Sequence, residues 1–137
     1  MLSRTITMQL PENLYMRLQQ VAQAIQQPLE QILLRAIQVG SPPTWETAPP
    51  EFQAALAALD RLDDTSLWRI ARSRYTEVDM QPYQQLLDKN AEGTITLIEQ
   101  QELERLRYEF DRHMLCKAHA VTLLRWRGHQ IPPSDKL

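Results

Sequence analysis

The first forty residues contain a pattern that cannot close a core within one chain. Arg4-Thr5-Ile6-Thr7-Met8-Gln9-Leu10 alternates strictly, with Ile6, Met8 and Leu10 on one side and Thr5, Thr7 and Gln9 on the other. That is the period of a half-buried strand. Pro11 ends the alternation, because it lacks a ladder donor and suits the start of a helix. Leu14, Leu18, Val21, Ala22 and Ile25 then recur at helical spacing and predict an amphipathic helix over about Glu12 to Gln26. Pro28 interrupts it and opens a second helix, about Pro28 to Val39, with Leu29, Ile32, Leu33, Ala36 and Ile37 inside and Gly40 as the stop. A lone strand leaves both edges unpaired. The pattern therefore predicts a homodimer: two strands paired antiparallel, Ile6, Met8 and Leu10 beneath them, and four helices around them.

Thr5 to Leu14, followed by a second helix reading Gln31-Ile32-Leu33-Leu34-Arg35-Ala36-Ile37, resembles the ribbon-helix-helix family of repressors and type II antitoxins over about residues 3–40. The resemblance implies a two-stranded ribbon entering the DNA major groove. The matching outward residues are Thr5, Thr7 and Gln9, with Arg4 beside them. Gln can bond adenine bidentately, and Thr can offer a hydroxyl or meet a thymine methyl. It also implies a phosphate held on the amides at the start of the second helix, near Pro28 and Leu29. The chain departs from the family in its helix-helix turn, Gln26-Gln27-Pro28, where members often carry glycine and a Ser or Thr cap.

The formal net charge of the 137-residue chain is −2, so DNA binding must rest on a local feature. Residues 1–40 set Arg4, Arg17 and Arg35 against Glu12 and Glu30, a net of +1. Because counterion release scales with the phosphates neutralised, one such dimer should hold nonspecific DNA weakly. Cys116 is the single cysteine, so no internal disulfide can form and a reducing, cytoplasmic setting is expected. The alternating N-terminus lacks the apolar run of a secretory leader, and no membrane association is expected.

Ser41 to Pro50 reads as a Pro-rich, semi-rigid linker whose one large apolar group is Trp45, expected to tuck against the second half of the chain. Residues 51–137 read as a helical domain. Helices are expected over Glu51–Leu62, from an Asp64 or Thr65 cap through Ala71, over Asp79–Lys89, and over a long final stretch, Leu97–Arg127. Thr96 and Glu99 form a capping box for the last, and Gly128 is its stop. Its acids crowd residues 99–111, whereas residues 112–127 carry Arg112, Lys117, Arg125 and Arg127 and no acid. Leu103, Leu106, Phe110, Met114, Val121 and Leu124 form its expected core stripe. Tyr108, Leu115 and Trp126 form a second apolar face, which either packs against neighbouring helices of the same chain, the preferred expectation, or serves as a partner-binding surface.

Few patterns suggest chemistry. Asp88, Asn90, Glu92 and Glu99 fall at EF-hand spacing with Gly93 at position six. Each also has a local explanation in ending one helix or capping the next, so no metal is expected. His113, Cys116 and His119 read as a buried thiol between two partly exposed imidazoles. Trp68-Arg69-Ile70-Ala71-Arg72-Ser73-Arg74 is basic. It can touch nucleic acid or pair with acids of the long helix, and the pairing is the preferred expectation. No phosphate loop, nucleophile elbow or triad is present, so neither an enzyme nor a cofactor is expected.

The expected fold is thus mainly α: a dimeric ribbon-helix-helix at 1–40, a linker at 41–50 and a helical partner-binding domain at 51–137. The function this implies is a sequence-specific regulator of an operator, and by resemblance an antitoxin that represses its own operon and neutralises a toxin through its helical half. A stand-alone regulator with a helical oligomerisation domain, and a dimeric adaptor that binds no DNA, are the alternatives.

Overall fold

A computed structural model of the chain describes residues 2–137. The described residues hold six α-helices and a short 3-10 turn, Ser134–Lys136, and no strand. The chain divides into two compact units, Met1–Ser41 and Pro42–Leu137.

The first unit corrects the expected ribbon. Residues 2–11 form neither strand nor helix, and none of the described backbone hydrogen bonds involves residues 2–10. Ile6 and Met8, expected to be buried, are exposed. Alternation makes a segment able to lie half-buried, but a strand exists only through ladder bonds, and the described residues supply no second strand to make them. The ribbon-helix-helix assignment therefore fails at its ribbon. The rest of the unit is a helix pair: α1 (Glu12–Ala24) and α2 (Leu29–Gly40), which pack on each other. Pro28 is the residue before α2 and not its first turn.

The turn between α1 and α2 is a Schellman motif. The Gln26 N–H donates to Gln23 O (3.3 Å) and the Gln27 N–H to Ala22 O (3.0 Å). Gln26 takes the left-handed position, with φ 54°. The same motif ends two later helices with glycine in that place, Gly93 (φ 74°) and Gly128 (φ 101°). A side chain there costs about 1–2 kcal/mol of backbone strain.

In the second unit, α3 (Pro50–Leu59), α4 (Asp64–Arg72) and α5 (Glu77–Glu92) all pack on α6 (Leu97–Trp126), a 30-residue helix roughly 45 Å long. Leu56, Leu59, Leu67, Ala71, Ala120, Leu123 and Leu124 form its core, with Leu67 and Leu124 at 0% exposure. Residues 42–49 belong to this unit. Trp45 and Ala48 pack against the core, and Gln53 Nε2 donates to Glu46 O and Ala48 O. The Pro-rich stretch is thus folded onto the helices C-terminal to it.

Local signals set most helix starts. Asp63, one residue before the expected cap, accepts from Ser66 N at 2.9 Å and starts α4. Thr96 and Glu99 form the expected capping box of α6. A second box, Thr76 with Asp79, starts α5 two residues before the expected boundary and leaves Pro82 inside the helix.

Two outcomes are expected. Trp45, Trp68 and Trp126 all lie in the second unit, so urea unfolding monitored by tryptophan fluorescence reports on that unit alone. Leu67→Ala lowers its stability by about 2–5 kcal/mol. Gln26→Gly relieves the left-handed strain and stabilises the first unit by about 0.5–1 kcal/mol, read as slower amide exchange at Ile25 and Gln27.

Candidate functional site

The expected DNA-contacting residues split between two places in the first unit. Arg4, Thr5, Thr7 and Gln9 are all exposed on the irregular segment ahead of α1. Pro28 and Leu29 stand at the start of α2, where no side chain caps the helix and Glu30 occupies the first turn. Around them lies uncovered apolar surface. Ala22 and Ile32 are the buried residues of α1 and α2. Ile6 (84%), Val39 (82%), Leu14, Met16, Ile25, Leu34 and Ile37 are exposed. The α1 stripe expected from periodicity is therefore only half covered.

On α6, the candidate partner face is largely consumed inside the second unit. Tyr108 stacks on Phe52 with ring centroids 5.1 Å apart, and its hydroxyl donates to Glu51 O at 3.4 Å. Leu115 packs against the core. Trp126 is half-exposed. The expected core stripe holds at Leu103 and Leu124, but Met114 is exposed beside the C-terminal tail.

The calcium-loop spacing does not make a loop. Asp88, Asn90 and Glu92 all lie within α5, so their side chains follow a helix and cannot wrap a cation. Glu99 belongs to the α6 capping box and pairs with Lys89 at 2.5 Å. Those partners hold the Glu99 carboxyl below its ordinary pKa, Lys89 most strongly. Among the described residues no group of three His, Cys, Asp or Glu side chains is placed to hold a metal ion.

The histidines on α6 and just after it are anchors, in an arrangement the spacing did not anticipate. His119 is the buried one, with Nε2 2.8 Å from Asp60 Oδ1. Cys116 is partly buried, and burial raises its thiol pKa. His129 Nε2 and Arg127 Nη1 each approach a different oxygen of Asp64 at 2.8 Å. These bonds hold Asp64 below the ordinary carboxylate range, the Arg127 bond most strongly. His113 Nε2 lies 2.7 Å from Ser73 Oγ, whose own proton goes to Ile70 O at 2.6 Å. Ser73 therefore accepts from His113, which places the ring proton on Nε2.

Arg69 and Arg72 of α4, and Arg74 just after it, do not make the expected pairing with acids of the long helix. Arg72 lies over the Trp68 ring at 4.7 Å, and Arg74 Nη2 donates to Ser134 O at 2.7 Å. Among the described residues, no ion pair joins Arg69, Arg72 or Arg74 to α6. Glu109, the acid of α6 that shares a groove with Arg69, is taken by Arg105 at 2.6 Å. Arg112 lines that groove too and did not stand out from sequence as a site residue. Its signal was present, since it opens the acid-free half of α6.

The chain matches no family model, no curated protein and no solved structure. No helix among the described residues is long and apolar enough to cross a membrane.

Burial, and then the neighbouring Lys117 charge, lower the His113 pKa from its ordinary 6.5. The folded state thus binds this proton less readily than the unfolded chain. The resulting stability is complete above about pH 6.5 and declines as pH falls from there through the folded value. Urea midpoints of the second unit should fall over that window, and His113→Gln should remove His113's share of the slope.

Proposed function

We propose that this protein is a sequence-specific DNA-binding regulator that acts as a homodimer, with residues 2–41 supplying both the self-association surface and the base contacts. The observation that carries this is the uncovered apolar surface of the first unit, adjoined by the exposed polar side chains of Arg4, Thr5, Thr7 and Gln9. A unit of about forty residues is at the limit below which oligomerisation is usually needed for a stable core. A second copy, bringing the same surface, covers it in a closed two-fold arrangement. Two copies also bring two sets of polar residues to two half-sites. Gln9 matches adenine, Thr5 and Thr7 match bases of either hydrogen-bonding sense, and Arg4 reaches phosphate. The uncapped amides at Leu29 suit a further phosphate, opposed by Glu30.

Of the three residues of the candidate partner-binding surface on α6, Tyr108 and Leu115 are engaged within the second unit, so no toxin-binding role is assigned to them.

The test is a gel shift of the purified protein on the DNA upstream of its own gene, against scrambled duplex and across a salt series. The expected result is a dimer by sedimentation that prefers the upstream DNA. Thr7→Ala with Gln9→Ala should abolish the preference while leaving the dimer intact. Ile37→Asp, placed on the uncovered face of α2, should shift the mass toward the monomer and weaken DNA binding in parallel. A well-folded dimer with no sequence preference would overturn the regulator reading and favour the adaptor.

A further inference from the structure

We propose that two adjoining clefts, one along α4 and one between α4 and α6, bind the phosphate backbone of double-stranded DNA through Arg69, Arg72 and Arg112. The inference rests on the DNA-binding reading above and locates a second contact surface, in the unit to which that reading assigned no role.

Two adjoining clefts carry it. Thr65, Trp68, Arg69, Arg72 and Ser73 line one, with no acid among them. The other is lined by residues of α3, α4 and α6, and shares Arg69 and Ser73 with the first. Arg112 enters it from α6, together with Glu109. Arg69, Arg72 and Arg112 are exposed. None of them makes an ion pair or a hydrogen bond through its side chain among the described residues. Of the nearby carboxylates, Glu109 is held by Arg105, and Asp63 accepts from the Ser66 amide at the start of α4 and acts on Arg69 only through longer-range attraction, without an ion pair. Three guanidinium forks thus border open clefts with their donors unspent, and guanidinium geometry matches phosphate oxygens bidentately.

Two features select an extended duplex over other anions. The clefts are open and the cations are spread across two helices, which suits a line of phosphates better than one small anion. The aromatic rings are occupied: Trp68 carries Arg72 on its face and meets His129 edge-on, and Tyr75 packs against Phe110 and His113. Single-strand binders stack bases on such rings, and none is offered here. The contact is therefore to backbone charge, independent of sequence. It supplies the affinity that the first unit, with its net of +1, lacks.

The test measures the full chain on upstream and scrambled duplex as a function of salt, comparing wild type with Arg69→Gln/Arg112→Gln. Neither of those side chains holds a hydrogen bond or ion pair in the fold, so helicity and urea midpoint should match wild type. The slope of log affinity against log salt should fall by about 1.8 per chain, about 0.9 for each lost phosphate contact. Affinity should fall by the same factor on both duplexes. Arg69→Lys/Arg112→Lys should restore the slope. Adding Arg72→Gln should deepen the loss, and Arg72→Lys, which keeps a cation over Trp68, guards against a folding defect. Upstream binding with an unchanged slope in the glutamine variant would overturn this inference and leave the regulator reading standing. Slope loss on scrambled DNA without preference for upstream DNA would do the reverse. Absence of any binding by the wild type would overturn both.

Discussion

The second unit depends on one apolar contact, α4 laid against the C-terminal half of α6. Leu67 and Ala71 are one helical turn apart on α4 and share a single buried cluster with Ala120, Leu123 and Leu124. The two alanines are fully buried, which lets the helix backbones approach closely while the leucines fill the space to either side. Polar bonds then fix the orientation. Asp60 and Asp64, flanking the start of α4, meet His119, Arg127 and His129 at the end of α6. Most of these pairs are at the surface, where water and salt screen them, so they align the contact more than they create it. His119 is the exception, because a buried imidazole without Asp60 would be left unsatisfied.

What was legible in the sequence divides along a physical line. Signals confined to a few neighbouring residues read correctly: the Thr96–Glu99 box, the Gly128 stop and the Trp45 anchor are set by local geometry and side-chain size. The Thr76–Asp79 box is equally local, but Pro82 masked it by suggesting a later start. Gln26 in a left-handed position was illegible, because propensity assigns that place to glycine or asparagine and the Schellman bonds override it. Features that need two distant partners read worst. The Arg4–Leu10 alternation lacked a ladder to join. The α4 arginines were paired with α6 acids by sign, although sign says nothing of which side of a helix each charge occupies.

The same limit explains the candidate site. Exposure of Thr5, Thr7 and Gln9 accords with their polarity, whereas the exposure of Ile6, Leu14 and Ile37 does not. Periodicity counts how many apolar residues share a face. It does not say whether one chain has enough surface to cover that face. In the first unit two short helices bury little more than Ala22 and Ile32, so helix-forming pattern and core-forming capacity separate.

Charge order along α6 links the fold to the surface it presents. In a helix, ion pairs form three or four residues apart. Arg105 bonds Glu102 behind it and Glu109 ahead of it, so both carboxylates are spent on the face where they arise. Glu99 is taken from a different helix, by Lys89 of α5. No acid occurs after Asp111 within the helix, so the cations from Lys117 onward can be met only by other elements, and the one helix acid spaced to meet Arg112, Glu109, is held by Arg105. The Asp64 carboxylate at the start of α4 meets Arg127 and His129, and Ser73 O meets Lys117. Arg112 receives no such partner and faces a groove whose other wall already carries Arg69. A chain with a net charge of −2 thereby holds a locally basic surface. Total charge sets the long-range field, whereas the local supply of unpaired cations decides where an anion can be held.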